Sequence, residues 1–176
     1  IGELGMYFEH GNCSEGTTHV PLIVQWPGMK KAGHAVEGLI YQLDLPPTVL
    51  DLLGMPIPEN WDGASFAAGL RGEKFPGRAH LVMGTGIYSY QRAVRTPRYR
   101  LIRTIHSGLY PYDPLYLFDM EKDPNQMKNI AAEKPDVVAE LDHCLMEWIC
   151  RATTGPAAVT DPFQEQLRAG VSPDMY

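Results

Sequence analysis

Long apolar runs are missing from this 176-residue chain. None approaches the ~18 residues that cross a bilayer, so no membrane partner is expected. Cysteine is scarce. Three residues, Cys13, Cys144 and Cys150, make an odd count that excludes a closed disulfide framework. All three read as free thiols, which favours a reducing, cytoplasmic setting. Basic residues are outnumbered, 15 Lys+Arg against 21 Asp+Glu for a net charge of −6. That balance argues against nucleic acid as a partner. No Gly-x-Ser-x-Gly elbow is present, and there are no internal repeats. Residues 1–15 carry Glu3, Glu9 and Glu15 without a basic start, so they do not read as a secretory signal. The chain opens on Ile1-Gly2-Glu3-Leu4-Gly5 instead of Met, which reads as the middle of a longer product.

What is present divides into three stretches. Residues 1–77 open with a Gly- and His-rich loop. Val20–Trp26 is a short, β-branched apolar run closed by Pro27-Gly28, the pattern of a strand buried on both faces of a parallel sheet. Asp44, two prolines and Gly54 frame a helix, with Asp44 as its candidate N-cap and Leu45, Val49, Leu52 and Leu53 on one face. A short helix is expected at Ser65–Leu70. From 78 to 151 the pattern turns antiparallel. Leu81–Met83, Tyr88–Arg95, Tyr99–Ile105 and Leu115–Asp119 read as strands, with a turn at Thr96-Pro97-Arg98. Pro135 opens an amphipathic helix ending near Arg151, built on Val138, Leu141, Leu145, Trp148 and Ile149. Residues 152–176 read as a tail. The layout is α+β as it stands, and its first third looks torn from a larger α/β sheet.

Several constellations hint at chemistry. Cys13 and Ser14 lie near His10, a nucleophile beside a base, but no orienting partner is visible. His10, Cys13 and His19 offer three zinc-ligand side chains, but the fourth is missing and the spacing matches no standard site, so they read as chance neighbours in a loop. Asp119-x-Glu121-x-Asp123-x-Asn125 alternates acids like half a calcium loop, but Pro124 stands where the loop needs Gly and Ile130 where it needs Glu, so it reads as a solvated turn. Arg92, Arg95, Arg98, Arg100 and Arg103 crowd one hairpin and read either as a solvated stripe or as an anion-facing edge. Asn12-Cys13-Ser14 fits a glycosylation sequon. His10, before Gly11 in a loop that feeds the apolar run, either packs that loop or serves a site at the sheet's edge.

In order along the chain, five phrases resemble the sulfatases. They are Gly2-Glu3-Leu4-Gly5 with His10-Gly11 and Glu15-Gly16-Thr17-Thr18-His19-Val20-Pro21; Asp44-Leu45-Pro46-Pro47-Thr48-Val49-Leu50-Asp51-Leu52-Leu53-Gly54; Asp62-Gly63-Ala64-Ser65-Phe66; Arg92-Ala93-Val94-Arg95-Thr96 with Tyr99-Arg100-Leu101-Ile102; and Leu115-Tyr116-Leu117-Phe118-Asp119 through Asp123-Pro124-Asn125 to Asn129-Ile130-Ala131. The resemblance implies an alkaline-phosphatase-like α/β fold, of which this chain is a C-terminal fragment. Part of the main sheet with a helix (1–77) precedes a small antiparallel subdomain with one packed helix (78–151), and a tail follows (152–176). It also implies a sulfuric ester hydrolase using a formylglycine nucleophile and a divalent metal, usually Ca2+, on a sulfate-ester small molecule or saccharide. Neither the Cys/Ser-x-Pro-x-Arg motif that yields formylglycine nor the metal ligands stand in this sequence, so an N-terminal sulfatase portion is the implied partner. His10 falls where many members carry a sulfate-contacting Lys, which makes it the one implied catalytic and substrate-binding residue; Glu15 matches a supporting Glu. A related phosphodiesterase or phosphonate monoester hydrolase shares the architecture. A non-catalytic module binding anions or a partner through the arginine hairpin is a third reading.

The isolated 176-residue chain is expected to show no turnover of an aryl sulfate in the presence of calcium. Chelator-sensitive hydrolysis above background would refute this.

Overall fold

The computed structural model describes residues 10–27, 29, 33–154 and 160–170. The Gly2–Gly5 phrase, Gly28 and the last residues of the tail lie outside them. Two compact units emerge, one of residues 1–20 with 82–176 and one of Pro21–Leu81.

The first unit is built on a four-stranded sheet in the order β1 (Leu81–Thr85), β2 (Tyr90–Arg95), β3 (Tyr99–His106) and β4 (Leu115–Asp119). β2 and β3 are antiparallel with Ala93 opposite Ile102 and Arg95 opposite Arg100. β3 and β4 pair with Leu101 opposite Leu117. Neighbouring residues along these strands are buried together: Ala93 and Val94, Leu101 and Ile102, Leu117 and Phe118 are all at most 1% exposed. Successive side chains point to opposite faces, so this sheet is covered on both.

One cover is the amphipathic helix of the sequence, α4 (Pro135–Thr154). Its Leu141 and Leu145 join Val82, Val94, Leu101 and Leu117, with Trp148 and Ile149 at the margin. An ion pair of 2.8 Å between Arg103 and Asp142 ties it to β3. The other cover is a loop. Cys13 packs with Ala93, Ile102, Tyr112, Tyr116, Phe118 and Met120, so the stretch after His10 is a core element.

The expected tail contains a further helix, α5 (Pro162–Arg168), N-capped by Asp161 accepting from the Phe163 amide at 3.1 Å. Phe163 stacks on Tyr90 at 5.1 Å between ring centroids. Asp161 pairs with Arg92 at 2.5 Å.

The second unit holds α2 (Leu45–Leu52), after a 3-10 turn at Gln42–Asp44, and α3 (Ala67–Leu70). Gly54 stops α2 as expected. It has φ +69°, and the amides of Gly54 and Met55 return to the carbonyls of Asp51 and Leu50, the Schellman arrangement. Asp44 departs from its expected role and makes no side-chain cap to α2. A cap needs N–H donors in the first turn, and Pro46 and Pro47 have none. Its carboxylate instead accepts from the amides of Tyr41 and Ala64, both at 2.7 Å, and from Nε and Nη2 of Arg78. Thr48 donates to the Asp44 carbonyl at 2.6 Å and accepts from the Phe66 amide at 3.0 Å, while Ser65 donates to Asp51 at 2.6 Å. A Cβ on Gly63 would fall 2.1 Å from the Leu43 carbonyl oxygen. Two of the family-like phrases are therefore the two halves of one clamp.

Val20–Trp26 forms no strand. Val20 is 75% and Ile23 94% exposed. A strand needs a ladder partner, and no described strand lies beside this run. Nor is the apolar stripe of α2 covered: Leu45, Val49 and Leu53 are exposed, and its buried residues are Pro47 and Thr48.

Burial pushes the Asp44 carboxyl up, but hydrogen bonds from Arg78, Ala64 and Tyr41 hold it below the ordinary carboxylate range. A depressed folded pKa contributes stability that is present above the unfolded value of about 3.9 and lost as pH falls through the folded one. Asp44→Asn is expected to lower stability at pH 7 by about 1–3 kcal/mol. The gap from wild type should close below about pH 4, as read by denaturant unfolding at several pH values.

Candidate functional site

His10 stands exposed at the head of the loop that covers the sheet. No described residue holds its side chain by a hydrogen bond or ion pair. Everything after it is fastened. A Cβ on Gly11 would lie 2.9 Å from the Ile87 carbonyl oxygen and 3.1 Å from Tyr88 Cβ, so only glycine fits there without displacing backbone. Ser89 Oγ donates to the Gly11 carbonyl. Asn12 folds the loop on itself by accepting from the Ser14 amide at 3.0 Å and the Thr17 hydroxyl at 2.9 Å. The Cys13 amide donates to Gln91 Oε1 at 2.9 Å.

Arg100 is the hub of this anchorage. Only 2% exposed, it donates from Nη1 to the Cys13 carbonyl at 2.6 Å and to Thr18 Oγ1 at 2.8 Å, and from Nη2 to the Glu15 carboxylate. Arg95, its cross-strand partner, reaches the same carboxylate at 3.5 Å. Like charges directly opposite on a sheet repel; Glu15, on the short helix α1 (Glu15–Thr18), pairs with both and offsets the repulsion. The Glu15 amide is held in turn by Gln126 Oε1 at 2.5 Å. Burial brings the Arg100 guanidinium down to about 10, against the opposing pull of Glu15, and it stays charged at neutral pH.

This geometry bears on four constellations of the sequence. Burial pushes the Cys13 thiol up to about 12, so it is no nucleophile at neutral pH, and Ser14 is buried with its hydroxyl against Thr17. The zinc reading fails because Cys13 is core while His10 and His19 are exposed, His19 pairing with Glu15 at 3.0 Å. The acidic run is a structural turn: Asp119 binds Arg98 at 3.0 Å, and Asp123 accepts from the amides of Met127 and Lys128. Nor is the arginine hairpin an open anion surface. Arg92 pairs with Asp161, Arg95 and Arg100 with Glu15, Arg98 with Asp119 and Arg103 with Asp142. Sequence reading missed Ser89, Gln91 and Gln126. Gln91 lies in β2, while Ser89 and Gln126 sit in turns; buried polar side chains such as these have to be bonded.

Tyr88, in the β1–β2 turn, has φ +61°. A left-handed backbone at a bulky residue costs of order 1–3 kcal/mol and persists only where its surroundings enforce it.

The described residues do not fit a metal centre. No three His, Cys, Asp or Glu side chains among them converge, and no step is derived through a metal.

Against known proteins, the family model described as N-sulphoglucosamine sulphohydrolase, C-terminal, matches residues 2–151. The Delta 4,5-hexuronate-2-O-sulfatase of Bacteroides thetaiotaomicron is 32% identical over 157 residues, covering 84% of this chain and 32% of that protein. Human arylsulfatase K is 30% identical over 160 residues, covering 82% of this chain and 28% of its own length. A solved 2-O GAG sulfatase superposes at a TM-score of 0.54 with 29% identity, over 72% of this chain and 26% of that one. The chain thus spans less than a third of the length of these relatives.

Replacing Glu15 by Gln would leave Arg95 and the buried Arg100 facing each other without a counter-charge. The expected loss is about 3–5 kcal/mol of unfolding free energy. Adding Arg100→Met should recover part of it, a coupling that a double-mutant cycle in urea would measure.

Proposed function

This chain belongs to the sulfatase family, of the alkaline-phosphatase-like superfamily, and from that premise we propose that it is the C-terminal portion of a sulfuric ester hydrolase to which it contributes His10. The observation that carries the proposal is the contrast at one bond: an exposed imidazole followed at once by a backbone fastened through Ser89, Gln91 and Arg100. A side chain carried on so rigid a mount can be held where negative charge develops. Protonated, it stabilises a bound sulfate; it can also hand its proton to the leaving oxygen. Formylglycine and a divalent metal are the chemistry that the family brings to this reaction. The part assigned here to the chain is confined to the anion.

The substrate class we propose is a sulfated saccharide. The name of the Bacteroides relative, a sulfatase of a hexuronate 2-O-ester at 32% identity, supports it. The N-terminal portion of the sulfatase fold is the proposed cover for the exposed apolar run at Val20–Trp26 and for the open stripe of α2. The three free thiols favour a reducing compartment, which we keep as part of the proposal.

In the full-length protein, His10→Ala is expected to lower kcat by about 10²–10³ with the fold intact, the typical effect of losing one donor at a developing oxyanion. His10→Lys, which keeps a cation at this position, should keep part of the activity. A variant with normal kcat and a lowered Tm would show that His10 only packs the loop.

A further inference from the structure

Building on the reading of His10, we propose that the β1–β2 turn is a second wall of the same site and that the Tyr88 ring receives the sugar ring bearing the sulfate ester. The turn and the His10 loop are docked together. Gly11, next to His10, is so close to this turn that a Cβ would meet the Ile87 carbonyl and Tyr88 Cβ, and Ser89 is bonded to its carbonyl. The backbone on one side of Tyr88 is immobilised: Ser89 and Tyr90 are 0% exposed, and Tyr90 is stacked on Phe163. These anchors hold Tyr88 at φ +61°, where an aromatic residue is a genuine outlier.

One edge of the Tyr88 ring lies over Gly11, where a Cβ would meet its Cδ2 at 3.3 Å, and the rest of the ring is left for a ligand. Tyr88 is partly exposed. Among the described residues its hydroxyl has no hydrogen-bond partner and its ring no aromatic partner, while Ile87 beside it is 46% exposed. A clamped, strained backbone carrying a partly exposed amphipathic ring with no hydrogen-bond or aromatic partner among the described residues suits a ligand contact. The chemistry suits a pyranose, whose C–H face packs on an aromatic face and whose hydroxyls meet the phenol. A sulfated saccharide asks for a cation and a flat apolar face, and His10 and Tyr88, both adjoining Gly11, supply one each.

The test uses the full-length protein with two probes, an unsaturated 2-O-sulfated uronate disaccharide and 4-nitrophenyl sulfate. Binding is read by calorimetry and turnover by kcat and KM. Tyr88→Ala is expected to weaken disaccharide binding about tenfold, some 1.4 kcal/mol, and to leave 4-nitrophenyl sulfate within about twofold. Tyr88→Phe should retain most of the disaccharide affinity. Tyr88→Gly removes the strain along with the ring, so it should weaken disaccharide binding as Ala does without lowering Tm. Unchanged disaccharide affinity in Tyr88→Ala overturns the proposal. So does an equal loss on both probes accompanied by a lower Tm, which would make Tyr88 a structural residue. His10→Ala, assayed beside these, separates the two readings. A kcat loss there with Tyr88→Ala unaffected sinks only the Tyr88 contact. A normal kcat there with weakened disaccharide binding in Tyr88→Ala sinks only the anion role of His10.

Discussion

One carboxylate between two guanidinium groups holds the first unit in order. Arg95 and Arg100 face each other across β2 and β3, where two cations repel. Glu15 accepts both, and in doing so draws the segment after His10 onto the sheet. That segment then buries Cys13 and covers a face that would otherwise expose Ala93, Ile102 and Phe118. Charge neutralisation and hydrophobic burial are thereby coupled: the loop lies on the sheet because Glu15 is needed there, and Glu15 stays because Arg100 is too buried to be left without a partner.

The phrases that resemble the sulfatases are chiefly architectural. Asp44, Thr48, Asp51, Gly63 and Ser65 lock one helix to one turn. Asn129 accepts from the Leu117 amide and donates to the Leu115 carbonyl, so its side chain extends the ladder at the edge of β4. Asp123 closes the turn before it. Such residues recur with a fold because each satisfies several backbone groups that would otherwise be stranded. Their presence identifies the family without locating its chemistry, and His10, to which the proposal gives the anion, is exposed and held by no side-chain hydrogen bond among the described residues.

Two independent parts of the first unit meet at Gly11, the loop with the exposed imidazole and the strained turn with the partly exposed aromatic ring. Both have their backbone bonded inward. Rigid mounts of this kind let a site recognise charge and shape together, since neither side chain's backbone needs ordering when a ligand arrives.

Much of the second half was legible in the sequence. The periodicity at Leu141 and Leu145, the turn at Thr96–Arg98 and the strands at Tyr99 and Leu115 rest on local rules, which read short stretches of chain. Gly54 was legible for the same reason, as a left-handed stop. Asp44 was half legible: the prolines that mark the helix start also deny a cap its donors, so its carboxylate turned to Arg78, thirty-four positions away. The rest depended on pairings between distant residues. Whether Arg95 and Arg100 are solvated, anion-binding or structural follows from Glu15 being brought beside them. Whether Val20–Trp26 is a strand follows from its having a neighbour. By itself the sequence determined the strands of the hairpin and of β4, the helices α2 and α4 and the family they belong to, because those follow from short-range sterics and ordered phrases. Only the tertiary structure decided which charges are neutralised, which thiol is inert and which side chains remain free to meet a ligand, because each depends on what long-range folding places within a few ångströms.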